Sequence, residues 1–166
     1  MKAAWRWLGL MALALFALQL YFVIRVAAMV VIAPQSTAFE RSEAWRITRE
    51  KSEFRWRQQW VDYPQISDHL KRAVIASEDD GFANHDGVDW DALEKAWAKN
   101  TQAEQRAQQR SNAKPPKIVG GSTITQQLAK NLFLSGERTM VRKGQEFVLT
   151  FLLERLLTKR RSLEIY

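Results

Sequence analysis

No cysteine occurs in the chain, so a disulfide framework and a thiolate metal centre are both excluded, while the redox compartment stays open. Histidine is nearly as scarce. With only His69 and His85, a multi-histidine zinc centre is excluded, and any metal would be a hard ion held on carboxylates. The phosphate loop of nucleotide hydrolases is missing too, because Gly120-Gly121 lacks the glycine spacing and the terminal Gly-Lys-Ser/Thr. No stretch has convincing strand alternation and no internal repeat occurs, which leaves a mainly α reading. The most informative absence is local. Between Ser77 and Glu94 there is no Lys or Arg, although the chain stands at +7; the same window holds seven acids, among them Glu78, Asp79, Asp80, Asp86 and Asp89. Like charges this close repel one another, so gathering them needs a reason.

The positive charge collects elsewhere. From Ser111 to Tyr166 there are ten Lys/Arg against four Glu, a balance that suggests an anionic partner, although solvated surface helices give a similar count. The N-terminus is the clearest feature. Leu8–Ile24 is an apolar run of 17 residues broken only by Gln19, and it resumes past Arg25 to Ala33. Counted through, those 26 residues would span about 39 Å as a helix against roughly 30 Å of hydrocarbon, so a tilted span with Arg25 snorkelling to the far interface fits. Lys2 and Arg6 place the N-terminus in the cytoplasm, and Trp5 and Trp7 suit the interfacial belt. A cleaved signal peptide is the competing reading; the length of the run and the poor site at Ala27-Ala28-Met29 weigh against it. One span does not make a channel.

Residues 1–34 are therefore expected to be a cytoplasmic tip and anchor, and 35–63 an aromatic-rich juxtamembrane segment carrying Phe39, Trp45, Phe54, Trp56 and Trp60. Those rings could lie at the lipid interface or pack under the lobe. Residues 64–166 form the lobe. "YPQISDHLKRAVIASED" reads as a helix capped by Ser67 or Asp68, with Ile66, Leu70, Val74 and Ser77 on one side. Asp89 to about Gln109 reads as a second helix, and Gln102–Pro116 as an exposed or mobile segment. "GGSTITQQLAKNLFL" opens a third, with Ser122 as its expected cap. A fourth begins near Thr139, its apolar face made by Val148, Leu149, Leu152, Leu153 and Leu156, and "TKRRSLEIY" starts a fifth.

Two constellations could carry chemistry. Gly120 and Gly121 allow a tight turn before a helix whose free N–H groups, with the Ser122 and Thr123 hydroxyls, would make an anion-binding nest. Thr123, Gln127, Lys130 and Asn131 share a face of that helix, a wall for phosphate and sugar hydroxyls or simply the polar side of a capped helix. Arg142 and Lys143, which can grip phosphate, stand just before Glu146 on an otherwise apolar helix; a surface salt bridge is the plainer alternative. An acid cluster, a separate Glu, a Ser/Thr/Lys/Arg set and a membrane anchor together suit glycosyl transfer from a lipid diphosphate. A lysozyme-like hydrolase and a noncatalytic tethered scaffold are the competing classes.

The same stretches resemble the peptidoglycan glycosyltransferases, glycosyltransferase family 51. "EDDGFANHDGVD" is similar to their first signature, "GGSTITQQLAKNLFL" to the second, "RKGQE" to the third and "LLTKRRSLEIY" to the start of the fourth. The single anchor, with no sequence for a penicillin-binding domain, resembles the monofunctional members from Gram-negative bacteria. The resemblance implies a lysozyme-like helical lobe, with Glu78 as the essential carboxylate and base and Glu146 as a second carboxylate near the leaving diphosphate. It implies Ser122, Thr123, Gln127, Lys130, Arg142 and Lys143 as the donor-side wall. Asp79, Phe82, His85, Gly87, Gly120 and Gly121 would support the site. It further implies lipid II and the growing glycan strand as substrates, the bacterial inner membrane as location with the lobe in the periplasm, and other peptidoglycan-synthesis or cell-division proteins as partners. No organic cofactor is implied; a magnesium or manganese ion could accompany the diphosphate. Nucleic acid is not an expected partner. The segment 100–119 is longer and more polar than the family pattern leads one to expect. Family members continue past the point where this sequence stops, within the fourth signature, so the lobe is expected to be incomplete at Tyr166 and the activity of this form reduced.

Overall fold

The computed structural model describes residues 2–50, 55–109, 118–137 and 139–166. Phe54 and the "NAKPP" end of the polar segment lie outside the described residues. The elements in chain order are α1 (Lys2–Ala28), α2 (Ala38–Glu50), a 3-10 turn (Tyr63–Gln65), α3 (Asp68–Glu78), α4 (Trp90–Gln108), α5 (Ile124–Phe133), α6 (Met140–Leu156) and α7 (Lys159–Ile165). Among the described residues there is no strand; the fold is mainly α with one N-terminal membrane-spanning helix.

α1 is long and apolar enough to cross a membrane once. It begins earlier and ends earlier than the apolar run suggests. After Ala28 the backbone tightens, Met29 N–H reaching Val26 O and Val30 N–H reaching Ala27 O. Pro34 disfavours helix at the residue before it, and the β-branched Val30, Val31 and Ile32 add little to hold the helix together. Most of α1 bears apolar side chains exposed for lipid, but Phe22, Val26 and Met29 are buried with Leu149, Leu153 and Leu157 in the main core. Their spacing of three and four residues is that of a helix-packing stripe.

Gln19, the polar interruption, pairs its amide with that of Gln145, at 3.2 Å in one direction and 3.4 Å in the other. Further along, Arg161 Nε donates to Met29 O at 2.8 Å. The first contact joins α1 to α6, and the second ties α7 to the residue that follows α1.

α5 fills the middle of the lobe through Leu128, Ala129 and Leu132. On α6 the buried positions are Glu146, Leu149, Thr150 and Leu153, while Val148 is half exposed, so the expected apolar face is rotated by about one residue. α3 departs further from its pattern: Ser67 caps it through Leu70 N–H at 3.1 Å, yet none of its residues is buried and Leu70 stands exposed. The polar segment after Gln102 stays helical to Gln108, and Asn100 clasps the returning chain at Val119 through both N–H and C=O. The juxtamembrane rings Phe39, Trp45, Trp56 and Trp60 are all exposed to some degree. Trp45 is exposed beneath Arg49, whereas Trp60 lies under Arg161 of the lobe.

Candidate active site

The acid cluster comes apart into separate tasks. Asp89 caps α4 by accepting Ala92 N–H at 2.8 Å. Asp79, the residue after α3, turns inward and is buried; one carboxylate oxygen accepts Ile124 N–H, the first of α5, at 2.9 Å, and His85 Nε2 meets the carboxylate at 2.9 and 3.1 Å. Asp80, Asp86, Asp91 and Glu94 remain in water. Glu78 is exposed and lines a cleft together with Asp80, and of the two it is Glu78 that meets α5, Gln127 Nε2 donating to its carboxylate at 2.9 Å.

The start of α5 is not an open anion nest. Thr123, rather than Ser122, is the cap: its hydroxyl accepts Gln126 N–H, and the Gln126 side chain accepts Thr123 N–H at 3.0 Å in a capping box. The same hydroxyl donates to Gly87 O at 2.5 Å, and Thr123 is buried. Ile124 N–H is taken by Asp79, so two of the first three amides of α5 are held from within the protein. Thr123 lines the neighbouring cleft rather than the cationic one, and its hydroxyl is a strut to the acidic loop.

That loop needs its glycine. Gly87 has φ +86, and a side chain there would also meet Thr150 Cγ2 at 3.0 Å. At Gly121 the constraint is space, because a Cβ would come within 3.1 Å of Ala96 Cβ and Leu93 Cα on α4. Gly120 has open space around it. Phe82 is buried beneath Lys159, whose ammonium donates to His85 O at 2.6 Å and pairs with Glu154; Glu154 in turn accepts from Thr125 at 2.9 Å. Loop, α5, α6 and α7 are thus tied around one network.

Two clefts meet at Ser122. A cavity of about 350 Å³ is lined by Ser122, Gln127, Lys130, Asn131, Arg142, Lys143 and Glu146, with Phe39 of α2 on its rim. A neighbouring one of about 450 Å³ is lined by Glu78, Asp79, Lys95, Gly120, Gly121 and again Ser122. Glu146 is buried and fully engaged, Arg142 Nη1 at 2.9 Å and Lys143 Nζ at 2.5 Å. The Lys130 ammonium has no hydrogen-bond or ion-pair partner among the described residues, and Arg142 Nε is buried with none. Chemically this is a cationic cleft next to a second cleft with exposed carboxylates.

Among the described residues no group of three or more His, Asp or Glu could cage a metal ion. Both Glu146 oxygens already hold cations, so these residues do not fit a resident divalent ion at that carboxylate.

Sequence reasoning passed over Tyr166, whose hydroxyl donates to Gln127 Oε1 at 3.0 Å and so turns the Gln127 amide hydrogens towards Glu78. Burial, and then the charge of Glu78, push the Tyr166 phenol up, keeping it a donor. No local signal marks that contact. The capping box was visible, since Thr123 and Gln126 have the required spacing whereas Ser122 is followed at that spacing by Thr125.

A family model for transglycosylases matches residues 46–166. Similar proteins include the biosynthetic peptidoglycan transglycosylases of Burkholderia thailandensis, 52% identical over 165 residues, and of Azoarcus sp. strain BH72, 47% identical over 170 residues. These matches take in 97% and 100% of this chain. The chain spans 60% of the Burkholderia protein and 69% of the Azoarcus one.

Proposed function

The chain belongs to the transglycosylase family, and from that premise we propose that it polymerises the glycan strands of peptidoglycan. Carrying the proposal is the meeting of two unlike clefts at Ser122, one with the exposed Glu78 carboxylate and one with the cationic set around Glu146. In this reading Glu78 removes the proton from the 4-hydroxyl of the acceptor N-acetylglucosamine in lipid II. The freed oxygen attacks the anomeric carbon of the growing strand from the face opposite its lipid diphosphate. The new C–O bond forms as the old one breaks, undecaprenyl diphosphate leaves with the bonding pair, and the configuration inverts.

Negative charge develops on the bridging diphosphate oxygen, and Lys130, Arg142 and Lys143 meet it. Glu146 acts through the last two, holding their heads at the cleft wall. Gln127 and Tyr166 orient Glu78. A divalent ion, if one takes part, is carried by the diphosphate. The N-terminus lies in the cytoplasm and the lobe on the outer face of the bacterial inner membrane, where lipid II and the nascent strand are reached and where other peptidoglycan-synthesis or cell-division proteins could be met.

Two variants of the full-length protein test the donor side. Lys130→Ala is expected to lower kcat/KM for the lipid-diphosphate donor by about 10²-fold, since it removes one preplaced cation from the leaving group; unchanged donor kinetics would sink the assignment. Glu146→Gln keeps the shape but takes away the charge between Arg142 and Lys143. Polymerisation should fall at least tenfold, about 1.4 kcal/mol in the barrier. Full activity would remove Glu146 from the account.

A further inference from the structure

At the far end of α1 a cavity of about 310 Å³ lies between the last turn of the helix, the Met29–Ser36 link and the start of α2. It shares no lining residue with either catalytic cleft. Its walls are of two kinds. Ala28, Met29, Ile32 and Pro34 make an apolar side, and Arg25 and Arg41 supply two cations.

Arg41 is held in place, Nη1 donating to Ser36 O at 3.1 Å and Ser36 Oγ at 3.0 Å, which leaves its Nε and Nη2 edge without a partner among the described residues. The Arg25 guanidinium has no hydrogen-bond or ion-pair partner among the described residues. No carboxylate lines the cavity. The adjacent Glu40 is occupied, accepting Thr37 N–H at 2.6 Å in the capping box of α2.

The cavity lies at the C-terminal end of the membrane-spanning helix. From Leu8 to Ala28 is twenty residue rises, about 30 Å, the thickness of the hydrocarbon layer. Arg25 lies one turn short of that boundary and must reach upward to it. Two guanidinium groups sharing a cavity without an acid repel each other, and their fork geometry matches phosphate oxygens. A cation at this end also works against the positive-inside bias, so its presence calls for a local anion.

We propose that this cavity binds the headgroup phosphate of an anionic glycerophospholipid of the outer leaflet, its oxygens between Arg25 and Arg41 and its acyl chains descending along Ala28, Met29 and Ile32. The site rests on the membrane-spanning reading of α1 and is independent of the catalytic proposal. A bound lipid there pins the juncture from which α2 leaves the membrane to flank α5.

The test uses full-length protein in nanodiscs of phosphatidylglycerol and phosphatidylethanolamine in equal parts, released into native mass spectrometry. Wild type should retain phosphatidylglycerol, Arg25→Gln with Arg41→Gln should retain at least tenfold less, and Arg25→Lys with Arg41→Lys should keep the adduct at an intermediate level. Equal retention by wild type and the double Gln variant would overturn the proposal. So would loss of the adduct on adding millimolar inorganic phosphate, which would make this a site for free anions. In detergent free of anionic lipid, thermal unfolding of the Gln variant, followed by tryptophan fluorescence, should match wild type. A large drop would assign the two arginines to folding instead.

Discussion

Glu78→Gln in the full-length, membrane-embedded protein is expected to lower glycan polymerisation by about 10²–10⁴-fold, the range that positioned acid–base assistance supplies. Binding of the lipid-diphosphate donor should survive, because the cations that face it lie in the other cleft. The fold should survive as well: Glu78 is exposed and the only hydrogen bond to its carboxylate among the described residues comes from Gln127, which a glutamine can still accept. Single-turnover polymerisation at saturating donor separates these effects. A loss under tenfold would contradict a role as base, and an equal loss of donor affinity would move Glu78 into the binding machinery.

Asp79→Ala should act on the other axis, stability. The buried carboxylate answers the first N–H of α5 and the His85 ring together. Without it a buried backbone donor and a buried imidazole, whose Nδ1 already lacks a partner, are left unsatisfied. The expected cost is about 2–4 kcal/mol, summing one lost charge-assisted bond and two stranded groups. For a chain of this size that corresponds to a fall in Tm of roughly 5–15 °C. Asp79→Asn, whose amide oxygen can still serve one of the two donors, should fall between. Thermal unfolding in detergent, followed by tryptophan fluorescence, measures both. If Asp79→Ala unfolds within about 2 °C of wild type, the acidic loop does not depend on this carboxylate. Polymerisation should drop with stability, since Asp79 holds the end of α5 from which Ser122 reaches both clefts.

What could be read without coordinates follows the range of the forces involved. Helix existence and most caps were legible, because Ser67, Asp89, Thr139 and Thr158 each bond a backbone N–H three residues on. The membrane-spanning helix was legible by composition. The face of α3 was not: periodicity says which residues share a side, and only packing decides whether that side is covered. Neither could the sequence tell that Gln19 answers Gln145, 126 residues away, or that Gln127 answers Glu78 across 49. The acid cluster misled for the same reason. Seven carboxylates adjacent in sequence suggest one electrostatic object, but the fold sends Asp79 into α5, Asp89 onto α4 and Glu78 into the cleft. Five candidate residues of the donor wall line one cavity, because Gln127 and Lys130 on α5 face Arg142 and Lys143 on α6 and Ser122 lies just before α5.

The central claim is that these two clefts build glycan strands. Its direct measurement is to incubate the full-length protein with purified undecaprenyl-diphosphate disaccharide-pentapeptide, and separately with intact murein, and to size the products. The account predicts long, uncrosslinked strands from the lipid substrate, release of undecaprenyl diphosphate, and no shortening of the murein. Murein that shortens while the lipid substrate goes unused would make the protein a hydrolase and contradict the account.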